Sequence, residues 1–479
     1  MKNGSFLPAR VFGAGIFCVF LLMSGVAQAL AQSATFSTQA YSLIGNTHVA
    51  ADFNGDGKLD LAGSGAQAAS VMLNNGNGTF APKTDFPVVT YTQDVAAGDF
   101  NGDGKMDLAV TIQSPQQMLA LMLGTGTGSF GAPTYFPNPS GFDSPYVVAS
   151  DINNDAKLDV LVMHSIACWT APCRAARNVT LMLGNGDGTF QPARVIDVNT
   201  GPYSIALGDF NRDGIKDLAV GGSNTELSIL LGVGAGNFSA PAVMQLVPGG
   251  DLFSASNDVD IADFNRDGIQ DITVPLGNGH GNAIVLGNGD GTFRVSTRIL
   301  EDAVSAPQGC AVADFNGDGF VDIARGMADG TRGLFQILRG NGDGTFQPLV
   351  RYAQPAPMSS VGGGHTISAD LNGDSKPDIV LQVRGANAAT DVFLNTGGAT
   401  VPPTAPTVSA LTLNPSSVTG GSASTGTVTL TTRVQSATTV QLKSNSAFAR
   451  VPASVTVAAG ASTAKFSIST TQVSTATSA

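Results

Sequence analysis

The sequence predicts an all-β chain: a seven-bladed β-propeller whose last blade is closed by an N-terminal strand, followed by a small β-sandwich. Three observations predict it. A nine-residue pattern, Asp-x-Asn-x-Asp-x-x-x-Asp, occurs seven times, and every copy keeps its three aspartates and its asparagine. The copies begin at Asp52, Asp99, Asp151, Asp209, Asp263, Asp314 and Asp370, so their spacing of 47 to 58 residues averages 53, a period that suits propeller blades. A glycine-rich turn follows six of them, as in NNGNGTFAP at 74–82 and GNGDGTFQP at 184–192.

From the N-terminus, Lys2 and Arg10 lead into an apolar stretch at 11–26 that ends in Ala29-Leu30-Ala31, the pattern of a cleaved signal peptide over 1–31. The stretch is short for a membrane span, which needs roughly 20 residues. The protein is therefore expected to be secreted or held at the cell surface, with no membrane span. Residues 32–398 are expected to form the propeller. Each blade reads as four strands: one entering the acidic loop, one leaving it through runs such as DLAV, DVLV and DITV, one entering the glycine turn, and one beginning at its Phe. The seventh repeat ends in FLNTGGAT at 393–400 without the Thr-Phe that opens a last strand, whereas Ala34-Thr35-Phe36-Ser37 precedes the first loop at the matching distance. The N-terminus is thus expected to complete blade seven and to protect the edge strands of the ring. A Pro/Thr-rich linker follows at 399–407, and short alternating strands at 408–479 predict the sandwich.

The repeated loop carries the chemistry. A hard cation such as Ca2+ takes six to eight oxygens at about 2.3–2.6 Å, and alternate positions of a tightly curved loop can deliver them. The expected side-chain ligands stand at positions 1, 3, 5 and 9, with a carbonyl from position 7. They are Asp52, Asn54, Asp56 and Asp60; Asp99, Asn101, Asp103 and Asp107; Asp151, Asn153, Asp155 and Asp159; Asp209, Asn211, Asp213 and Asp217. The remaining copies supply Asp263, Asn265, Asp267 and Asp271; Asp314, Asn316, Asp318 and Asp322; Asp370, Asn372, Asp374 and Asp378. Glycine at position 6 permits the turn, and Ala156 and Ser375 replace it in copies three and seven, which marks those two sites as the weakest. An EF-hand is excluded, because position 12 holds Gly63, Val110, Val162, Val220, Val274, Arg325 and Leu381 rather than Glu, and a strand follows instead of a helix.

On these loops and turns the chain resembles the FG-GAP/VCBS repeat family, the integrin-α-like seven-bladed propeller, over roughly residues 34–398. The resemblance implies up to seven structural Ca2+ ions at the positions just named. The C-terminal part is similar to bacterial Ig-like domains, but it is shorter than the roughly 100 residues of that fold and is expected to lack its last strand. Family members include adhesion heads, lectins and accessory domains of enzymes, so the resemblance leaves the ligand open.

Charge fits the metal. The chain has 24 basic and 36 acidic residues, and removing 1–31 takes away two basic ones. Seven divalent ions would bring the mature chain near neutrality, so its acidity calls for no basic partner, and nucleic acid is excluded. Only four histidines occur, none in a catalytic motif, and the repeated GxGxG precedes a strand rather than a helix, so it is a turn and not a phosphate cradle. No enzymatic activity and no organic cofactor are expected.

Strand topology places the acidic loops and glycine turns on one rim and the variable connections on the other, where binding residues tend to lie. One variable connection, at 165–177, holds Cys168, Trp169 and Cys173 followed by Arg174 and Arg177. The cysteines are expected to form a disulfide, and Trp169, Arg174 and Arg177 are candidate contacts to an extracellular protein or glycan. The alternatives are a structural spacer of a larger secreted assembly, or a polysaccharide-degrading enzyme drawing on Glu226, Glu301 or Asp302.

Overall fold

The computed structural model describes residues 22–23, 34–42, 45, 48–113, 117–137, 139, 146–164, 177–247, 258–276, 281–299, 306–328, 333–353, 360–361, 366–384, 389–397, 408–418, 420–430, 434, 437–444, 446, 448–458 and 461–471. Most of the expected signal segment, the linker, and Cys168, Trp169, Cys173 and Arg174 lie outside the described residues. The chain divides into two compact units, one spanning Ala34–Gly398 and the other including Ala399–Ala479.

The larger unit is all-β. Among its described residues are seven antiparallel sheets in chain order; six are built like the second, which runs Thr92–Gly98, Asp107–Ile112, Gln117–Met122 and Thr134–Pro137 from its inner to its outer strand, and the seventh adds the short strand Ser360–Val361 beside Asp378–Arg384. The inner strands His48–Ala51, Thr92–Gly98, Tyr146–Ser150, Pro202–Gly208, Asp260–Ala262, Ala306–Ala313 and Ile367–Ala369 each lie against the next, and the last lies against the first. The sheets therefore close into a ring. In the first five sheets the second strand, as in Asp107–Ile112, is buried along its whole length, because a sheet in a ring packs on a neighbour at both faces. Its aliphatic run is consequently continuous, while an outer strand such as Thr134–Pro137 stays partly exposed.

The core is divided among the gaps between sheets. Leu108, Val110 and Ala62 fill the space between the first two sheets, Leu119, Val160 and Val162 the next, and Phe335, Ile379 and Phe393 the space between sixth and seventh. The gap that closes the ring holds Leu61, Met72, Val380 and Val392. Here the N-terminal strand Phe36–Ser42 pairs antiparallel with Ala389–Asn395, Phe36 opposite Asn395, and so forms the outer strand of the seventh sheet as expected.

One strand start differs from expectation. In the first, second, third and sixth sheets the Phe of the glycine turn makes only an isolated bridge, Asn74 to Phe80 for example, and the outer strand begins some residues later. A proline follows each of these aromatics, at 82, 133, 192 and 348, and lacks the N–H that a continuing ladder needs. The fifth sheet has Arg294-Val295 instead, and its outer strand does begin at Phe293.

In the second unit, Val408–Asn414, Ala423–Leu430, Thr463–Thr470 and Ala449–Arg450 form one antiparallel sheet. Thr438–Gln441 pairs with Ser454–Val457, and Leu22–Met23 pairs with Thr438–Gln441. Val428, Leu430, Val440, Val457, Phe466 and Ile468 share the core.

Candidate metal loops and their interlock

Each acidic loop is a short run of bends between the inner and second strands. In the second, Asp99 accepts hydrogen bonds at Oδ1 from the N–H groups of Gly102 (2.7 Å) and Asp103 (3.1 Å), and at Oδ2 from Gly104 (2.8 Å). Asn101 Oδ1 accepts from Asp103 N–H at 3.0 Å, and Asp103 Oδ1 accepts from Lys105 N–H at 3.0 Å. Positions 1, 3 and 5 thus each curl the backbone around a side-chain oxygen. The curl needs left-handed backbone at position 4 as well as position 6, with φ of 73° at Gly102 and 80° at Gly104. Ala156 and Ser375 adopt the same conformation, φ 64° and 63°, and their N–H groups still reach Asp151 and Asp370 at 2.8 and 2.7 Å. Replacing glycine therefore leaves the shape of these two loops intact.

Position 9 behaves differently from the others. All seven of its aspartates are fully buried. In the second loop Asp107 Oδ2 accepts from Phe100 N–H at 2.9 Å and Oδ1 from Gly124 N–H at 2.7 Å, tying the acidic loop to the glycine turn of its own sheet. The arrangement recurs down to the seventh, where Asp378 holds Leu371 N–H at 2.9 Å and Asn395 N–H at 2.7 Å. Burial raises the pKa of these carboxyls against the pull of the two N–H groups, and the aspartates at positions 5 and 1 of the same loop raise it further. Asp271 and Asp378 reach about 6 and Asp322 about 8. The metal-free loop accordingly holds unfavourable negative charge.

Among the described residues no three His, Cys, Asp or Glu side chains converge as a ready-made cation cage. The carboxylates at positions 1 and 5 are instead turned to N–H groups of the loop itself, and that at position 9 to N–H groups of two segments. The donor set nevertheless fits a hard cation, since every loop presents carboxylate and carboxamide oxygens and no sulfur or nitrogen ligand.

Sequence reasoning missed the role of the glycine turn. Gly188 of the third sheet donates its N–H to Phe100 O of the second acidic loop at 3.0 Å, and Gly128, Gly291 and Gly344 do the same to Phe53, Phe210 and Phe264. Gly188 has a left-handed φ of 80°, which favours glycine, and a Cβ there would also meet Leu123 of the preceding sheet at 3.3 Å. Edge-to-face pairs such as Phe100 with Phe190, 6.0 Å apart, line the same contact. Asparagine side chains substitute at the closure: Asn395 Nδ2 donates to Phe315 O and Asn74 Nδ2 to Leu371 O, both at 2.8 Å. Six of the seven acidic loops are thus bonded to the following sheet through the carbonyl at position 2, while the third reaches the fourth loop through Asn154 Nδ2, which donates to Gly214 O at 2.9 Å. The available signal was the fixed order of acidic loop, then glycine turn, in successive repeats.

The other candidates are dispersed. Arg177 is exposed and reaches Asn199 at 3.4 to 3.5 Å. Glu226 accepts a hydrogen bond from Thr200 Oγ1 at 2.9 Å, and buried His48 and His164 face the hydroxyls of Thr390 and Thr180. Cys310 is buried but polar in its contacts, for its thiol donates to Asp260 Oδ2 at 3.0 Å. Burial pushes that thiol well above its ordinary pKa, which removes its nucleophilic form. The ring axis holds a cavity of about 450 Å³ lined in part by Asp94 and Asp258. These two carboxylates accept N–H bonds from Val147 and Cys310 of the next inner strand, and so join sheets.

A model of the FG-GAP-like repeat matches residues 52–110, 168–220, 209–274 and 272–324. The chain carries FG-GAP-like repeats. It is similar to cartilage acidic protein 1 of Xenopus tropicalis, 32% identical over 114 residues, and to that of Homo sapiens, 30% identical over 102 residues. These matches cover 22% and 20% of the chain but only 17% and 15% of the relatives, so the chain spans less than a fifth of their length. Among solved structures, BBS1N in complex with ARL6DN aligns with a TM-score of 0.50 at 11% identity, over 77% of this chain and 98% of that one, a likeness of fold alone. An Agrocybe aegerita lectin that recognises non-reducing terminal N-acetylglucosamine aligns at 22% identity and TM-score 0.47, over 64% of this chain and 80% of the lectin. No helix among the described residues is long and apolar enough to cross a membrane.

Proposed function

We propose that the ring is a seven-bladed propeller braced by Ca2+, acting outside the cell as a binding or adhesion module for a protein or glycan. One observation carries this reading: six of the seven acidic loops are bonded to the next sheet through the carbonyl at position 2, as Phe100 O is to Gly188 N–H, so a cation that orders the loop also fixes its neighbour. Extracellular calcium modules bind at about 10⁻⁴–10⁻³ M, so at millimolar Ca2+ each site adds about 0.4–1.4 kcal/mol. Seven such increments rival the roughly 5–15 kcal/mol of a typical domain. The cation's part is structural, and no catalytic step is assigned to any residue.

The loop rim is occupied by its own interlock, which leaves the opposite rim, with its unrepeated connections, to meet a partner. The FG-GAP-like repeats and the likeness to cartilage acidic protein 1 support an extracellular role. The expected readout is binding to an immobilised panel of glycans and matrix proteins in millimolar Ca2+, abolished by chelator and weakened by Trp169→Ala. Binding that persists in chelator, or is unchanged by Trp169→Ala, contradicts the assignment.

A further inference from the structure

The acidic loops are not equivalent. In the first, second and seventh, the lysine at position 7 folds back on position 5: Lys58, Lys105 and Lys376 place Nζ 3.1 Å from Oδ2 of Asp56, Asp103 and Asp374. In the third to sixth, that same oxygen instead accepts from the asparagine at position 3, as Asn211 Nδ2 to Asp213 Oδ2 at 2.9 Å and Asn265 Nδ2 to Asp267 Oδ2 at 2.9 Å. Asn153 and Asn316 repeat the contact at 3.2 and 3.0 Å.

A second difference links the members of that run. Position 4 is glycine in the first, second, sixth and seventh loops, but Asn154, Arg212 and Arg266 occupy it in the third, fourth and fifth. Asn154 Nδ2 donates to Gly214 O of the fourth loop at 2.9 Å, and Arg212 Nη2 donates to Gly268 O of the fifth at 2.7 Å. Arg266 lies over the ring of Phe320 in the sixth, 5.3 Å from its centroid. The third to sixth loops are therefore linked in series. The carbonyls held are those of position 6, one peptide before the position 7 carbonyl expected to ligate.

Resting on the calcium reading above, we propose that the loops take up the cation as two populations: a coupled run, the third to the sixth, and three independent loops in which lysine competes with the metal. In the coupled run, ordering one loop fixes a peptide of the next, or at the sixth loop the ring of Phe320, so part of the entropic cost of its binding has already been met. In the lysine loops an entering cation must first displace an ammonium from a ligand oxygen. That competition is ionic and exposed, so added salt weakens it.

The repeats themselves supply variants that fold. Asn154→Gly, Arg212→Gly and Arg266→Gly install the residue found at position 4 of the first and second loops, at a left-handed φ of 61–63° that glycine accepts without strain. Lys58→Ile, Lys105→Ile and Lys376→Ile install the residue of the fourth and fifth loops. The experiment is calorimetric Ca2+ titration of the full chain and of both triple variants. The wild type is expected to show a steeper, tighter phase and a weaker one. The glycine variant should lose the steepness of the first phase alone, and the isoleucine variant should tighten the second by about two- to fivefold. Ca2+ binding with one uniform class of sites, or a weak phase unmoved by the isoleucine changes, overturns the proposal while leaving the calcium reading standing. No binding at all overturns both.

Discussion

Within one nine-residue loop, the same amino acid does two different jobs. Asp103, at position 5, is exposed and folds the loop around itself, whereas Asp107, at position 9, is fully buried and spends both oxygens on N–H groups of two segments. The difference teaches that repetition of a residue type does not establish a common role. Position relative to the strand decides it, because position 9 is already the first residue of the second strand, the most buried in each sheet.

The sharpest way to break this comparison is to remove each aspartate in turn. Asp107→Ala strands two buried donors and is expected to lower stability by about 3–5 kcal/mol already in chelator, with one site's share of the Ca2+-dependent shift lost in addition. Asp103→Ala is expected to leave the melting temperature in chelator unchanged and to remove one site's share of the Ca2+-dependent shift. Paired thermal melts under both conditions check it; equal losses by the two variants in chelator would erase the distinction.

A buried aspartate without such donors sharpens the point. Asp391, in Ala389–Asn395, is 1% exposed, its Oδ1 has no hydrogen-bond partner among the described residues, and burial pushes its pKa up to about 6. The folded-state value lies above the unfolded one of about 3.9, so its stabilising protonated form is complete below pH 4 and lost as pH rises through about 6. Asp391→Asn should therefore stabilise the protein by about 2–3 kcal/mol at pH 7.5, with the gain vanishing toward pH 4. Chemical denaturation across that range tests it; a gain that does not change with pH would show that ionisation is not the cause.

The smallest expected effect concerns the turn itself. Ala156 and Ser375 keep the loop's shape at left-handed φ, which disfavours a side chain by about 1–2 kcal/mol. Ala156→Gly is expected to stabilise by about 1 kcal/mol, measured by denaturant midpoint, and no gain would mean that contacts of the methyl offset the strain.

Much of the ring was legible because its causes are local. Three aspartates and an asparagine at fixed spacing demand a curled loop, the β-branched run after them demands a strand, and the missing Thr-Phe near 398 pointed to Phe36. What escaped was set by neighbouring sheets. Nothing within GNGDGTF says that Gly188 must clear Leu123, and nothing at Asp107 says that its oxygens will be met by Phe100 and Gly124. The left-handed backbone at position 4 was hidden because asparagine and arginine stand there as well as glycine. The prolines after Phe80, Phe130, Phe190 and Phe346 could have corrected the strand starts, had the lost N–H been counted.

The central claim is that the acidic loops bind Ca2+ and thereby brace the ring. The most direct measurement is a calorimetric Ca2+ titration of the purified protein, with melting temperature recorded in Ca2+ and in chelator. The account predicts five to seven bound ions per chain, from the seven loops, and a large chelator-sensitive fall in melting temperature. No binding heat and no shift would mean that the loops are turns alone, and the calcium-braced propeller would be contradicted.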